Sequence, residues 1–161
     1  MYTVLFICTA NICRTPMAVA LLRDRIRREG LEHRIDVLSA GTWAIDGAPP
    51  AEFSAAVCRE NDLDCGDHAA RAVDLNLLNR ANVVLCMTTE HQADLTQIFP
   101  HFRTKIFTLR EFAHPTRPER MSIQDPYGRA IDHYRTAFRE IAAEVERIWP
   151  ALRESAALES A

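Results

Sequence analysis

The 161-residue sequence contains no apolar run that approaches the roughly 18 residues needed for a membrane-spanning helix. It also has no basic segment before its first apolar stretch, MYTVLFIC, which argues against a secretory signal peptide. Lysine is nearly missing: Lys105 is the only lysine, whereas the chain has eighteen arginines. We attribute this imbalance to genomic base composition. With a net charge of −3, the chain lacks the basic surface that binds nucleic acids or anionic membranes. We therefore expect a cytoplasmic protein that binds neither nucleic acid nor membrane.

The five cysteines do not form the pattern of a secreted disulfide framework, because their number is odd and 48% of the residues are hydrophobic. Reduced thiols in a cytoplasm fit this composition better. None of the six histidines stands at zinc-ligand spacing from a cysteine, so the spacing predicts no zinc site. We expect Cys86 to pack in the core, Cys58 and Cys65 to be chemically inert, and the histidines other than His68 to lie on the surface.

Short apolar runs alternate with helical patterns along the chain. The runs predict buried strands at TVLFIC (3–8), IDVLSAG (35–41), NVVLCM (82–87) and KIFTL (105–109). In the last pattern, apolar residues recur at steps of three and four from Ile131 to Ile148, which predicts a helix that Pro150 ends. The alternation indicates one α/β domain with a parallel sheet over residues 1–150, followed by a frayed tail over residues 151–161.

The other helices have recognisable ends. The first, PMAVALLRDRIRREG, has Thr15 as a possible N-terminal cap and Gly30 as its end. A second follows the double proline in PPAEFSAAVCREN, and a short helical turn is predicted around Leu75–Leu78. Thr88 or Thr89 can cap a further helix that runs to Ile98, and residues 110–129 form a long irregular stretch of the kind that is often functional.

The stretch CTANICRT follows the first predicted strand, at the sheet edge where parallel sheets bind ligands. Backbone amides of a loop that leads into a helix bind anions, and such a setting favours the thiolate form of Cys8. Arg14 can bind two phosphate oxygens with its planar fork, and Thr15 can donate to the thiolate, cap the helix, or both. These groups suit attack of Cys8 on phosphorus, which gives a phospho-cysteine intermediate.

The segment VLFICTANICRTPMA resembles the phosphate-binding signature of the low-molecular-weight protein tyrosine phosphatase family. The resemblance covers about residues 3–148 and continues in SAGTW (39–43), in VVLCM and in DPYGRAIDHYRTAFREI (125–141). It implies a four-stranded parallel sheet with helices on both faces. It also implies hydrolysis of phosphotyrosine in proteins, phosphate or another oxyanion in the loop, and neither a metal nor a cofactor.

Matched residue by residue, the resemblance implies that Cys8 is the nucleophile, Arg14 the phosphate clamp and Asp125 the general acid. The loop residues that would surround the phosphate are Thr9, Ala10, Asn11, Ile12 and Cys13. Ile12 and Tyr127 match the walls of the aromatic pocket, and Asn11, Thr15, Ser39 and His68 match a supporting polar network. Cys13 matches a thiol that forms a reversible disulfide with the nucleophile. Two residues depart from the family pattern: Ala10, for which we expect an ordinary conformation, replaces a glycine, and Val19 replaces a glutamate.

An acid at Asp125 is also reasonable on chemical grounds. A phenolate has a pKa near 10, so a proton donor accelerates its departure by a typical 10²–10⁴. Pro126 fixes the backbone beside the carboxyl group, and Tyr127 follows directly.

The main alternative is hydrolysis of phosphoarginine by a related branch, whose arginine specialist has a similar Asp-Pro-aromatic-Gly loop. That specialist carries threonine where this chain has Ile12, and a bulky apolar wall favours an aromatic ring. Arsenate reduction would need an additional cysteine pair, and residues 66–85 contain no cysteine. A non-catalytic phosphate-binding module or redox sensor would not need Cys8, Arg14 and Asp125 together.

Overall fold

A computed structural model describes residues 1–159, and its centre is a four-stranded parallel sheet. The strands lie in the spatial order β2-β1-β3-β4. Their bounds are β1 (Tyr2–Cys8), β2 (Ile35–Gly41), β3 (Val83–Cys86) and β4 (Ile106–Thr108). Strand β1 occupies the middle of the sheet and all seven of its residues are buried, as a continuous apolar run predicts. The carboxyl ends of the strands meet at one edge, where Cys8 pairs with Gly41 of β2.

Helices cover both faces of the sheet, as predicted. Their bounds are α1 (Arg14–Arg28), α2 (Glu52–Glu60), α3 (Leu75–Arg80), α4 (Thr89–Ile98) and α5 (Ile131–Leu158), with a 3₁₀ helix at Pro100–Lys105. Because side chains alternate along β1, Val4 and Phe6 join the core cluster of α1, α2 and α5, whereas Leu5 and Ile7 join that of α3 and α4. Within residues 1–159, no helix has both the length and the apolar character needed to cross a bilayer.

The prediction that Pro150 ends the last helix is wrong, because α5 continues to Leu158. The residues beyond the proline are no frayed tail, since Leu152 and Ala156 are buried in the core. A proline in a helix interior costs about 3 kcal/mol, but burying Trp149 and Leu152 contributes a comparable amount, about 1.5–3 kcal/mol for a large apolar side chain. Residues 160–161 of the predicted tail lie outside the described residues.

Candidate active site

Cys8 is the last residue of β1, and the loop that follows it leads directly into α1. Its sulfur is almost fully buried and lies 3.2 Å from the hydroxyl oxygen of Thr15. The amide nitrogen of Asn11 donates a hydrogen bond to the same oxygen at 2.7 Å, which leaves the hydroxyl hydrogen of Thr15 free for the sulfur. Thr15 is therefore placed to donate to a thiolate. It does not cap the helix, because α1 already begins at Arg14.

Asn11 holds the curved loop from its centre. It has a φ of 58°, a left-handed conformation that asparagine adopts more easily than most residues. Its side chain donates to Ser39 Oγ at 3.0 Å and accepts from the backbone N–H of Arg71 at 3.0 Å. Its carbonyl oxygen accepts from Nε2 of His68 at 2.5 Å, and burial lowers the pKa of that imidazole, which favours the neutral form. The supporting network expected from the sequence is thus assembled around one residue.

The two departures from the family pattern are accommodated without strain. Ala10 is not among the residues with positive φ, so its ordinary conformation is confirmed. The left-handed position of the loop falls instead on Asn11. Val19 is buried in the core cluster under α1, which replaces a charged contact by apolar packing.

Gly41 is required by the close approach of the catalytic loop to the end of β2. A Cβ atom at this position would overlap the carbonyl oxygen of Thr9 and lie 3.0 Å from the backbone nitrogen of Asn11. The next two residues use this proximity, since Thr42 N donates to Cys8 O at 3.0 Å and Trp43 N donates to Thr9 O at 2.8 Å. The segment SAGTW therefore supports the loop through its backbone.

Arg14 is the largest of the fully buried side chains, with 2% of its surface exposed. One terminal nitrogen donates to the carbonyl oxygen of Ile123 at 2.9 Å. The other lies 3.5 Å from Thr9 Oγ1 and 3.5 Å from a carboxylate oxygen of Asp125. Its Nε is buried and has no partner among the described residues, although a buried donor left unsatisfied costs about 1–3 kcal/mol. An anion held in the loop would satisfy it.

Asp125 lies opposite the loop on the long segment before α5, with 47% of its side chain exposed. Its carboxylate accepts from the backbone N–H of Tyr127 at 3.1 Å, and this turn together with the buried Pro126 fixes its direction. The ion pair with Arg14 joins the two segments across a cavity of about 270 Å³. The predicted trio of Cys8, Arg14 and Asp125 thus lines one cavity.

The walls of this cavity are more apolar than the sequence predicted. Ile12 and Tyr127 line it as expected, and Trp43 and Ile45 line it as well. Trp43 is 84% exposed and Ile45 is 80% exposed, so these large apolar side chains stand open at the mouth of the cavity. Trp43 belongs to the SAGTW motif, but the sequence predicts no role for it, because a single exposed aromatic residue has no periodicity that marks it.

His91 contacts the catalytic loop, and this contact was not predicted from the sequence. We expected it on the surface, but it is only 5% exposed, in the first turn of α4 beyond the cap residue Thr88. Its Nε2 lies 2.8 Å from the hydroxyl of Thr9. Burial, reinforced by the charge of Arg14, lowers the pKa of His91 to about 4. A neutral imidazole therefore holds the Thr9 hydroxyl beside the guanidinium at neutral pH.

Cys13 ends the loop as a buried thiol, with its sulfur 3.7 Å from the phenol oxygen of Tyr134 in α5. Burial raises the pKa of Cys13 to about 11. Cys8 and Cys13 are both reduced, and the disulfide between them stays a prediction. Within residues 1–159, no three metal-ligating side chains come together.

The reduced thiol, the anion-binding loop and the facing carboxylate, placed at the carboxyl edge of a parallel sheet, define a cysteine-dependent phosphatase. The comparison with known families agrees with this class. The chain belongs to the low molecular weight phosphotyrosine protein phosphatase family, whose model matches residues 3–159.

Its relatives include enzymes named for two different substrates. The protein-arginine-phosphatase of Geobacillus stearothermophilus is 33% identical over 147 residues, which are 91% of this chain and 93% of that protein. Its solved structure superposes with a TM-score of 0.86 and covers 96% of this chain and 95% of that one, at 32% identity. The low molecular weight protein-tyrosine-phosphatase of Streptomyces coelicolor is 32% identical over 158 residues, 95% of this chain and 94% of that protein.

A further solved structure has an oxyanion bound. Wzb of Vibrio vulnificus, in complex with benzylphosphonate, superposes with a TM-score of 0.78 at 25% identity, covering 91% of this chain and 95% of that one.

Proposed function

We propose that the protein hydrolyses phosphotyrosine in other proteins through a phospho-cysteine intermediate. The observation that carries the proposal is the guanidinium of Arg14, which is buried beside the catalytic loop with its Nε unsatisfied. Burying a charge is costly unless it is paired, and the carboxylate of Asp125 at 3.5 Å compensates it only in part. A phosphate dianion surrounded by the amides of Thr9 to Cys13 would complete the pairing.

In the first step, the sulfur of Cys8 attacks phosphorus, an S–P bond forms, and the bond from phosphorus to the phenol oxygen breaks. Asp125 in its protonated form gives its proton to the departing oxygen. In the second step, a water molecule attacks phosphorus while Asp125 takes a proton from it, and the S–P bond breaks to release phosphate. The hydroxyl of Thr15, 3.2 Å from the sulfur, stabilises the thiolate before attack and again as it leaves.

The cavity walls support an aromatic substrate side chain. Ile12, Trp43 and Tyr127 offer flat or branched apolar surface on the way to the sulfur. A tyrosine ring gains from burial against such walls, and stacking on an aromatic face adds about 0.5–1.5 kcal/mol. Benzylphosphonate, the ligand of the Vibrio vulnificus relative, has the same combination of an aromatic ring and an oxyanion.

Hydrolysis of protein phosphoarginine is the second candidate function. It is favoured by the Geobacillus stearothermophilus relative, which is named a protein-arginine-phosphatase. A guanidinium group has up to five N–H donors to satisfy. Among the described residues that line the cavity, Asp125 is the only carboxylate that could accept from them, and Ile12 has no hydroxyl to help. This scarcity of acceptors supports tyrosine as the preferred substrate.

The nucleophile is tested with p-nitrophenyl phosphate as the substrate. Cys8→Ser should abolish turnover, because an alcohol at this position is not ionised. The matched control is Cys86→Ala, which changes a buried thiol at the end of the neighbouring strand β3 and should leave turnover nearly unchanged. Full activity in Cys8→Ser would overturn the phospho-cysteine mechanism.

The acid is tested by varying the leaving group. Asp125→Asn should lower kcat/KM, which reports the first step alone, by about 10²–10⁴ for phenyl phosphate and much less for p-nitrophenyl phosphate, because p-nitrophenolate leaves without a proton. Equal losses on the two substrates would remove Asp125 from the role of general acid.

The substrate class is tested with two peptides of the same sequence that carry either phosphotyrosine or phosphoarginine. We expect a higher kcat/KM for the phosphotyrosine peptide, and Ile12→Thr should move the ratio toward phosphoarginine. A wild-type preference for the phosphoarginine peptide would establish the second candidate. A ratio that Ile12→Thr leaves unchanged would show that this wall does not choose the substrate.

A protein that carries phosphotyrosine is therefore the proposed partner, and the cytoplasm is the proposed location. The odd number of cysteines in a chain with a substantial apolar core supports a reducing compartment.

A further inference from the structure

The end of helix α2 folds the chain sharply back on itself. Leu63 N donates to the carbonyl oxygen of Cys58 at 2.9 Å, and Asp62 N donates to that of Arg59 at 3.2 Å. Asp62 has a φ of 58°, so the turn has the left-handed residue and both hydrogen bonds of a Schellman motif. The turn therefore reverses the direction of the chain at the end of α2.

This reversal brings the thiol of Cys65 against the thiol of Cys58. Both belong to the main core cluster, with Cys58 fully buried and Cys65 5% exposed. The two side chains share a hydrogen bond, which lowers the pKa of Cys65 and, together with burial, raises the pKa of Cys58. Cys58 is completely enclosed, so Cys65 is the partner that lies nearer to solvent.

Cys65 is also the thiol that a small reagent can reach. It lines a cavity of about 390 Å³ between α1 and the segment that follows the turn. The side chains of Arg23 and Asp67 also line this cavity, and they are 53% and 81% exposed. The cavity is large enough for a molecule the size of a peroxide to reach the wall that Cys65 forms.

The same segment supports the catalytic loop. His68 N donates to the carbonyl oxygen of Cys65 at 3.1 Å, and its imidazole donates to the carbonyl oxygen of Asn11. Three residues further on, Arg71 N donates to the side chain of Asn11. A movement of Cys65 is therefore transmitted over three residues to the centre of the loop.

We propose that Cys58 and Cys65 are a redox-active dithiol, separate from Cys8 and Cys13, whose oxidation to a disulfide withdraws His68 from the catalytic loop. A bond between two sulfur atoms is much shorter than a contact between two thiols, so its formation draws Cys65 toward α2. The hydrogen bond from His68 to Asn11 then lengthens, and the loop loses one of its supports.

The oxidant is hydrogen peroxide, and the reaction balances in two steps. The thiolate of Cys65 attacks a peroxide oxygen, the O–O bond breaks, and the sulfur becomes a sulfenic acid while the hydroxide released takes up a proton as water. The sulfur of Cys58 then attacks that of Cys65, and its own proton leaves with the hydroxyl group as a second water. The two thiols lose two electrons together, and the peroxide gains them.

Tryptic mapping without reductant tests the disulfide directly, because cleavage after Arg34, Arg59 and Arg71 places Cys58 in peptide 35–59 and Cys65 in peptide 60–71. After hydrogen peroxide treatment, we expect the two peptides to appear joined and to separate on reduction. A disulfide between Cys8 and Cys13 is detected separately, because both cysteines lie in peptide 1–14 and the bond changes the mass of that peptide alone. Peptides 35–59 and 60–71 that stay separate while peptide 1–14 is oxidised would overturn the proposal.

The effect on the loop is tested by turnover of p-nitrophenyl phosphate. Oxidation is carried out with inorganic phosphate present to cover Cys8, and peptide 1–14 is checked to be reduced. The wild-type kcat should fall roughly 2- to 10-fold, the factor that corresponds to the net contribution of one hydrogen bond, and should recover with dithiothreitol.

Cys65→Ala and, as a second variant, Cys58→Ala should keep the wild-type kcat and lose the response to oxidation. A joined peptide with an unchanged wild-type kcat would overturn the link to the loop. If oxidation lowered kcat in these two variants as much as in the wild type, the effect would come from groups other than Cys58 and Cys65, and the proposal would be overturned. The tryptic mapping of the Cys58–Cys65 disulfide does not require phosphatase activity. Its result therefore tests the dithiol even if the proposed function is wrong.

Discussion

Acidification should destabilise the fold through His91. The imidazole is buried beside Arg14, and its pKa is lowered from the ordinary value of 6.5 to about 4. The unfolded chain therefore binds a proton at a higher pH than the folded chain does. The stabilising contribution of neutral His91 is complete above pH 6.5 and is lost as the pH falls toward 4. Between about pH 7.5 and about pH 4.5, this one group should reduce the free energy of unfolding by about 2.5 kcal/mol.

Urea unfolding followed by circular dichroism at the two pH values measures this loss. The pKa of His68 is also lowered, so the wild-type protein should lose more than His91 alone accounts for. His91→Gln keeps a polar group near Thr9 but cannot take up a proton, and its loss should be smaller than the wild-type loss by about 2.5 kcal/mol. His33→Gln, at an exposed histidine, is the control and should behave as wild type. The same loss in His91→Gln as in the wild type would refute the reasoning.

Two more predictions follow from the site and from the last helix. Hydrogen peroxide should inactivate the enzyme reversibly by joining Cys8 to Cys13, which removes two hydrogen atoms from tryptic peptide 1–14. Sulfonic acid on Cys8 beside an unmodified Cys13 would contradict this. Pro150→Ala should raise the free energy of unfolding in urea by up to about 3 kcal/mol, because the exposed proline interrupts α5 without adding core contact. A lower stability of Pro150→Ala would show that the proline has a packing role.

The parts of the fold that the sequence predicted well are those in which local pattern and tertiary burial agree. Strand β1 is a continuous apolar run and is buried along its whole length, so the run was sufficient to place it. The Schellman-type end of α1 at Gly30, with a φ of 67°, and the cap of α4 at Thr88 follow from residue types alone. The catalytic loop was also predictable, because its position after a strand and before a helix is a sequence feature.

The remaining features depend on contacts between residues that are far apart in the sequence. Pro150 indicates a helix end locally, but the burial of Trp149 and Leu152 in the core outweighs the cost of the proline. His91 is buried only because β3 delivers the start of α4 next to Thr9, eighty-two residues earlier in the chain. The contact between Cys58 and Cys65 depends on a left-handed residue at Asp62, and aspartate is not the residue type that usually signals such a turn.

The backbone of the catalytic loop explains why an alanine fits at position 10, whereas Asn11 beside it should be sensitive to substitution. A loop that curves around an anion needs one left-handed residue, and here that residue is Asn11. The cost of this conformation is offset locally, because the side chain and carbonyl of Asn11 make hydrogen bonds to β2 and to the segment of His68. Asn11→Gly would keep the backbone freedom and lose the side-chain bonds to Thr15 and Ser39. The curvature of the loop is therefore maintained by side-chain hydrogen bonds as well as by backbone conformation, and its integrity depends on the same segment that carries Cys65.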